Sequence, residues 1–99
     1  MANKIRIADL PEFDIADYLD DEQAVAEYLT VVLEENDASA LAHALGVIAK
    51  ARGMREIAQG AGITREALYK ALRAHSAPRL DTVQRVLASM GLKLTVRAA

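Results

Sequence analysis

The fold is decided by residues 54–75, which read MREIAQGAGITREALYKALRAH. Apolar residues recur at helical spacing on both sides of Gly62, so the segment predicts two short helices separated by a turn. Gly62 has no Cβ atom and can adopt the left-handed backbone conformation that a tight turn requires. Thr64 follows at the position of a helix N-cap, where its side-chain oxygen can accept hydrogen bonds from free backbone N–H groups. The segment therefore predicts a helix-turn-helix unit.

The two predicted helices carry small or aliphatic side chains where they must cross closely. Ala58 is small enough to let the second helix approach, and Ile63 is expected to be buried directly after the turn. The rest of this inner face consists of Ile57, Leu68 and Ala71. In proteins that contain such a unit, the second helix lies in the major groove of DNA. The pattern therefore favours DNA binding.

The second helix also carries several polar side chains that do not belong to its inner face. We predict that five of these residues contact DNA bases, namely Thr64, Arg65, Glu66, Tyr69 and Lys70. Arg65 can donate two hydrogen bonds to guanine, and Glu66 can accept one from cytosine. We predict phosphate contacts from residues at the ends of the unit and in the following loop, namely Arg55, Arg73, His75, Ser76 and Arg79. The alternative interpretation is that each of these residues is an ordinary solvated side chain that makes no DNA contact. Tyr69 could instead pack across the helix surface.

Before this unit, the spacing of apolar residues predicts further helical segments. Residues 15–19 form one helical turn, and Asp20 or Asp21 is expected to cap a longer helix that ends near Asn36. The apolar stripe of that helix consists of Val25, Tyr28, Leu29, Val32 and Leu33. This stripe predicts a face that packs against the core.

Two more helices flank the unit directly. Asp37 or Ser39 is expected to cap a helix that Gly53 ends, and Asp81 is expected to begin a helix that Gly91 ends. The first has Leu41, Leu45, Ile48 and Arg52 along one side. The second has Leu80, Val83, Val86, Leu87 and Met90.

Both ends of the chain show the alternating pattern of a β-strand. In LKLTV, residues 92–96, Leu92, Leu94 and Val96 are expected to point inward and the residues between them outward. A single strand leaves its backbone hydrogen-bonding groups unpaired. We therefore expect it to pair either with the N-terminal segment Ile5–Ile7 or with the same strand of a second subunit, which suggests a homodimer.

Together these elements predict an all-α fold: a phage-repressor-like helix-turn-helix domain of five to six helices, with an N-terminal helical extension and a short C-terminal β-strand. The 20 alanines among 99 residues favour closely packed helices. We assign residues 1–37 to an acidic N-terminal extension made of a short arm and helices. Residues 38–99 are assigned to the helix-turn-helix domain with its strand.

Charge is divided unevenly along the chain. Residues 1–50 contain 11 acidic and 3 basic side chains, a net charge of −8, whereas residues 51–99 contain 9 basic and 3 acidic side chains, a net charge of +6. The positively charged half can bind a polyanion such as DNA, whereas the negatively charged half is repelled by a polyanion. The two halves therefore suggest two surfaces with different partners. Alternatively, the halves attract each other within the fold.

The chain offers little for catalysis or for metal binding. It contains no Cys and two distant His residues, so we predict no metal site and no cofactor. The acidic cluster at residues 20–22 lacks an accompanying nucleophile, positioned base or phosphate-binding loop, and helix capping explains it, so we expect no enzyme. No apolar run is long enough to span a membrane, and the N-terminus lacks a secretory signal. The expected location is the cytoplasm.

Several stretches resemble the helix-turn-helix (Xre/HigA-like) antidote proteins of toxin–antitoxin addiction modules. They are FDIADYL at 13–19, AEYL at 26–29, ALGVIAKARGM at 44–54, GITREALYKAL at 62–72 and VLASMGLKLTV at 86–96. The likeness covers most of the chain, and TREALYKAL followed by GLKLTV is its more specific part. The second helix begins with Thr64, Arg65 and Glu66, where many phage repressors have Gln, so their operator code does not transfer. The loop at residues 74–78 lacks the Gly or Asn expected there.

The resemblance implies a DNA-binding antitoxin of a type II toxin–antitoxin module. Such a protein is a homodimer that represses its own operon at an operator and neutralises a co-encoded basic toxin of the RelE/ParE type. The residues suggested for toxin binding lie in the acidic half and are Asp14, Asp17, Tyr18, Asp20, Asp21 and Tyr28. Two alternatives remain: a stand-alone phage-like transcriptional repressor, and a protein-interaction adaptor that does not bind DNA.

Overall fold

The computed structural model describes residues 20–73 and 75–99. Across these residues the chain forms five α-helices, which are α1 (Glu22–Glu34), α2 (Ala38–Arg52), α3 (Met54–Ala61), α4 (Arg65–Ala71) and α5 (Leu80–Ser89). The all-α prediction is confirmed for this part of the chain. The predicted helical turn at residues 15–19 and the segment Ile5–Ile7 lie outside the described residues.

The first two helices begin at the residues expected to cap them. The Asp21 carboxylate caps α1 by accepting hydrogen bonds from the backbone N–H groups of Gln23 and Ala24, at 3.0 and 3.2 Å. Asp37 caps α2 in the same way, and α2 ends at Gly53 as predicted. Because the caps satisfy N–H groups that have no partner within the helix, they define where each helix starts.

The cap of α2 makes part of the stability depend on pH. The Asp37 carboxylate accepts hydrogen bonds from the Ser39 hydroxyl at 2.9 Å, and from the backbone N–H groups of Ala40 and Ser39 at 3.3 and 3.0 Å. These hydrogen bonds, that of the Ser39 hydroxyl foremost, lower the pKa of Asp37 from its ordinary value. A lowered pKa in the folded state stabilises the fold above the pKa of the unfolded chain, and this contribution is lost as the pH falls through the folded pKa.

We therefore expect Asp37→Ala to lower the free energy of unfolding at pH 7, and the difference from the wild type to shrink in acid. Urea unfolding of both proteins at pH 7 and at about pH 3 measures the two differences. Asp37→Asn is the matched control, because Asn caps a helix without a carboxylate to titrate. If the free energies of unfolding of the wild type and the Asp37→Ala variant differed by the same amount at both pH values, the result would contradict the role of this carboxylate.

The helices enclose one hydrophobic core, with α3 at its centre. α3 packs most extensively against α5 and also contacts α2 and α4, while α1 packs against α2. The α1 stripe enters this core through Val25, Tyr28, Leu29 and Val32. Leu33 was expected to belong to that stripe and is exposed, because it lies at the edge of the buried face near the end of the helix. The described part of the predicted N-terminal extension therefore shares its core with the rest of the chain.

The turn between α3 and α4 has the geometry that the sequence predicted. Gly62 adopts the left-handed conformation, with φ 73° and ψ 29°. Its N–H donates to the Gln59 carbonyl at 3.2 Å, and the N–H of Ile63 donates to the Ala58 carbonyl at 3.1 Å. This pair of hydrogen bonds satisfies the last carbonyls of α3 and turns the chain sharply into α4. Ile63, expected to be buried, is half-buried against the core.

A second glycine allows α3 and α5 to pack closely. A Cβ atom added at Gly60 would lie 2.9 Å from the Cβ of Ser89 and 3.6 Å from its Cα. Those atoms move only if the helix moves, so a methyl group cannot be accommodated locally. We expect Gly60→Ala to lower the free energy of unfolding by about 1 kcal/mol, despite the higher helix propensity of Ala.

The double variant Gly60→Ala, Ser89→Gly tests this contact, because it removes the Cβ atom that the new methyl group would meet. Thermal unfolding of the two single variants and the double variant gives the coupling between the positions. We expect the cost of Gly60→Ala to fall when residue 89 is Gly. The same cost in both backgrounds would place the two helices further apart than described.

The helix α5 begins one residue earlier than predicted. It starts at Leu80, with Arg79 in the N-cap position and Asp81 in the first turn. Its buried face consists of Val83, Val86 and Leu87, followed by Met90, as predicted. Leu80 was expected on this face and is 63% exposed, because the first residue of the helix lies beyond the elements that cover the rest.

The predicted C-terminal strand is wrong. Residues 92–99 adopt no regular secondary structure, and among the described residues no segment is paired with them. A strand requires a partner for its backbone groups, and a local sequence pattern cannot supply one. Instead, the Leu92 N–H donates to the Leu87 carbonyl at 2.9 Å and closes the end of α5. Leu92 and Leu94 pack partly against the core, whereas Val96, expected to point inward, is 98% exposed.

Candidate nucleic-acid interface

The short helix α4 is held by its inner face. Leu68 is completely buried and is the one residue of α4 that is fully enclosed. Leu72, directly after the helix, is also buried. The Thr64 hydroxyl accepts a hydrogen bond from the Ala67 N–H at 3.0 Å, which confirms the predicted N-cap. These contacts fix the orientation of the remaining side chains of α4.

Five exposed polar or aromatic side chains lie along α4 and at its N-cap. All of the residues predicted to contact DNA bases are exposed, namely Thr64, Arg65, Glu66, Tyr69 and Lys70. Residues four positions apart on a helix lie one above the other, so Arg65 stands beside Tyr69 and Glu66 beside Lys70. We call this set the outer face of α4. The structure thus brings the predicted base-contacting residues together on one surface.

Exposed basic side chains lie at both ends of the two-helix unit and in the segment that follows it. Arg55 is exposed in the first turn of α3, and Arg73 is exposed directly after α4. Arg79 is also exposed, and its Nε atom lies 3.3 Å from the Asp81 carboxylate. Both of these side chains are largely solvated, so their ion pair contributes little energy and does not hold Arg79 in place.

The loop after α4 differs from the expectation in its details. His75 is exposed and has φ 66°, the left-handed conformation for which a Gly or Asn was expected. Histidine is one of the residues that adopt this conformation more often than most. Ser76 was predicted to contact phosphate, but its hydroxyl donates its proton to the Ala71 carbonyl at 2.7 Å, and its N–H donates to the Arg73 carbonyl. Ser76 therefore satisfies the end of α4 and has no donor left for a phosphate in this conformation.

Two basic residues of α2 lie beside the α4 region and were not among the predicted DNA contacts. His43 and Lys50 lie on α2, and they line a cleft together with Tyr69 and Arg73 of the α4 region. Residues 43, 47 and 50 lie on one face of α2 by helical spacing, and this was the available signal. That α2 presents this face to α4 depends on how distant parts of the chain pack, which the spacing alone does not reveal.

The residues suggested for toxin binding are distributed differently. Asp20 and Asp21 are exposed, and the Asp21 carboxylate is engaged in capping α1. Tyr28 is only 8% exposed and belongs to the hydrophobic core, so a partner protein could reach little of its side chain. Asp14, Asp17 and Tyr18 lie outside the described residues.

Other kinds of site find no support in the part of the chain that the structure describes. Within residues 20–73 and 75–99, no three His, Asp or Glu side chains are grouped so that they could hold a metal ion. None of the helices there is both long enough and apolar enough to cross a membrane. Among the described residues, the outer face of α4 and the exposed basic residues around the two-helix unit form the candidate site.

The fold and this surface define a small all-α protein that exposes a short polar helix between packed neighbours. The chain belongs to the family described as "Probable addiction module antidote protein", whose model matches residues 9–98. It is 41% identical over 88 residues to an uncharacterized protein of Haemophilus influenzae, covering 89% of this chain and 91% of that protein. No solved structure matches the chain.

Proposed function

We propose that this protein is the antitoxin of a type II toxin–antitoxin module, and that it binds an operator through α4 to repress its own operon. The observation that carries the proposal is the outer face of α4: a helix anchored from behind by Leu68 exposes Arg65, Glu66 and Lys70 together. The family description, which names an addiction-module antidote, supports the antitoxin role.

In the proposed complex, α4 lies in the major groove of DNA. Arg65 pairs with guanine, Glu66 accepts a hydrogen bond from cytosine, and Tyr69 and Lys70 reach bases or phosphates one helical turn further along. The Thr64 hydroxyl accepts the capping hydrogen bond and retains its own proton to donate to DNA. Phosphates are contacted by Arg55, Arg73, His75 and Arg79, which hold the register without reading sequence. We omit Ser76 from this set because its proton is engaged by Ala71.

We further propose that the protein acts as a homodimer in the cytoplasm. A two-fold dimer presents two copies of α4 to two half-sites about one helical turn of DNA apart, and this makes the operator palindromic. Within residues 20–73 and 75–99, one chain presents one copy of the outer face of α4, so a second half-site requires a second chain. Two half-sites raise affinity because the second subunit binds DNA that is already held close to it, and they raise specificity because the second α4 reads the second half-site.

The second proposed partner is a co-encoded basic toxin of the RelE/ParE type. Residues 1–50 carry a net charge of −8, and their 11 acidic side chains all lie at or before Asp37, so this acidic stretch is repelled by a polyanion and would attract a basic protein surface. Within α1, Glu27 and Glu34 are exposed on the side opposite the buried stripe. The acidic half is therefore proposed to meet the toxin while the basic half meets DNA.

Binding of the protein to the DNA upstream of its own gene, measured by gel shift at two salt concentrations, tests the DNA-binding part. We expect binding to weaken as salt rises, because each neutralised phosphate releases a counterion. DNA of the same length and a scrambled sequence is the control, and it should bind more weakly. An adaptor that does not bind DNA predicts no salt-dependent shift, and this result would refute the proposal. Co-purification of a small basic protein encoded by the adjacent gene distinguishes an antitoxin from a stand-alone repressor.

A further inference from the structure

A cleft of about 670 Å³ lies between α2 and α4, beside the outer face of α4. Its polar lining consists of His43 and Lys50 from α2, and Tyr69 and Arg73 from the α4 region, and no acidic side chain lines it. Its floor is apolar and includes Val47. In a chain with an overall net charge of −2, this cleft is a local concentration of positive charge.

The close approach of α2 to the end of α4 forms the cleft. Gly46 is buried on α2, and a Cβ atom added there would lie 3.2 Å from the backbone carbonyl oxygen of Leu72. The two segments are therefore nearly in contact at this point. Lys50 lies one helical turn after Gly46, and Arg73 directly follows Leu72, so the contact brings these two basic side chains to the same cleft.

We propose that this cleft receives a phosphate group of the DNA backbone, held jointly by Lys50 of α2 and Arg73 of the α4 region. This inference rests on the proposed DNA-binding function and extends the DNA contact from the two-helix unit to α2. Arg73 can donate two hydrogen bonds to phosphate oxygens, and the ammonium group of Lys50 supplies a second positive charge on a flexible stem.

Three observations favour a backbone phosphate over a different occupant. The lining carries two permanent positive charges and no negative charge, which complements a phosphodiester. Tyr69 and Arg73 belong both to the cleft and to the DNA-binding surface proposed above, so the two surfaces are continuous. Lys50 and Arg73 come from separate segments of the chain, so the fold, rather than local sequence, creates the pair.

The first test compares Lys50→Gln with Lys93→Gln. Lys93 is also exposed, but it borders a different groove between α1 and the C-terminal segment. We expect Lys50→Gln to weaken binding to the upstream DNA by on the order of tenfold, and to reduce the slope of log K against log salt concentration by about 0.9, the value for one phosphate. Lys93→Gln should leave both the affinity and the slope unchanged. Circular dichroism and urea unfolding should be the same for both variants and the wild type.

The second test locates the residue on the DNA without relying on affinity. The chain contains no Cys, so a single Lys50→Cys substitution can be labelled with an iron chelate that cleaves nearby DNA backbone. We expect the labelled protein to cut the upstream DNA at the flank of each protected half-site. The same label at a Lys93→Cys substitution should produce no localised cleavage.

The outcomes separate this inference from the proposed function. An unchanged salt slope for Lys50→Gln, or no localised cleavage from position 50 while the wild type still binds the DNA, overturns the inference and leaves the proposed function in place. Failure of the wild type to bind the upstream DNA overturns both this inference and the proposed DNA-binding function. A Lys50→Gln variant that loses affinity for the co-encoded toxin while its DNA slope is unchanged also overturns the inference, because the cleft would then serve an acidic protein surface.

Discussion

Replacing Leu68 with Ala is expected to lower the free energy of unfolding by about 3 to 4 kcal/mol. Leu68 is completely buried, and α4 has seven residues with no other residue so enclosed. The substitution removes the Cγ atom and both Cδ methyl groups of Leu68 from the core and leaves a cavity there. Small domains are stable by about 5 to 15 kcal/mol, so the loss is a large part of the total.

Urea unfolding measures this effect, and Leu80→Ala is the matched control. Leu80 undergoes the same chemical change but is 63% exposed on α5, so we expect a cost below about 1 kcal/mol there. Leu68→Met should restore most of the lost stability, because it nearly preserves the volume. If Leu68→Ala cost no more than Leu80→Ala, α4 would not be anchored by this side chain. The outer face would then have no defined orientation.

The second large effect is expected on DNA recognition. Arg65→Ala should reduce the preference for the operator over unrelated DNA by about 1 to 3 kcal/mol, which is about 5- to 150-fold. Arg65 is exposed in the first turn of α4. Because its proposed partner is a base edge, its loss should spare most of the affinity for DNA of any sequence.

Competition binding with the upstream DNA and a scrambled duplex, at one fixed salt concentration, measures the ratio. Arg85→Ala is the control, because Arg85 is an exposed arginine on α5 outside the proposed interface. The Arg85→Ala substitution should change neither the affinity for the upstream DNA nor the affinity for the scrambled duplex. An equal loss for both duplexes in the Arg65→Ala variant would make Arg65 a phosphate contact and would remove it from the residues that read sequence.

Most of the helical structure could be predicted because its causes are local. The carboxylates of Asp21 and Asp37 cap the helices that follow them, and Gly62 takes the left-handed conformation that ends α3. Each of these effects involves residues within one helical turn of each other. The same holds for the outer face of α4, which consists of the N-cap Thr64 and the exposed polar and aromatic residues of a seven-residue helix.

The errors have a different origin, since each concerns a residue whose environment is made by distant parts of the chain. Leu80 fits the helical spacing of the core, but no neighbouring element covers the first turn of α5. Val96 alternates as in a strand, but among the described residues no partner strand is available to it. Tyr28 was assigned both to the buried stripe of α1 and to the residues suggested for toxin binding, and it packs in the core.

The amino-acid sequence by itself determined the helices of residues 20–99, apart from the start of α5, and which residues of α4 are its exposed polar groups, because capping and helical periodicity act over a few residues. Only the tertiary structure decided that Lys50 meets Arg73 across one cleft, and that Ser76 gives its proton to Ala71. The first depends on the packing of two helices and the second on the path of a loop. Neither arrangement can be read from spacing along the chain.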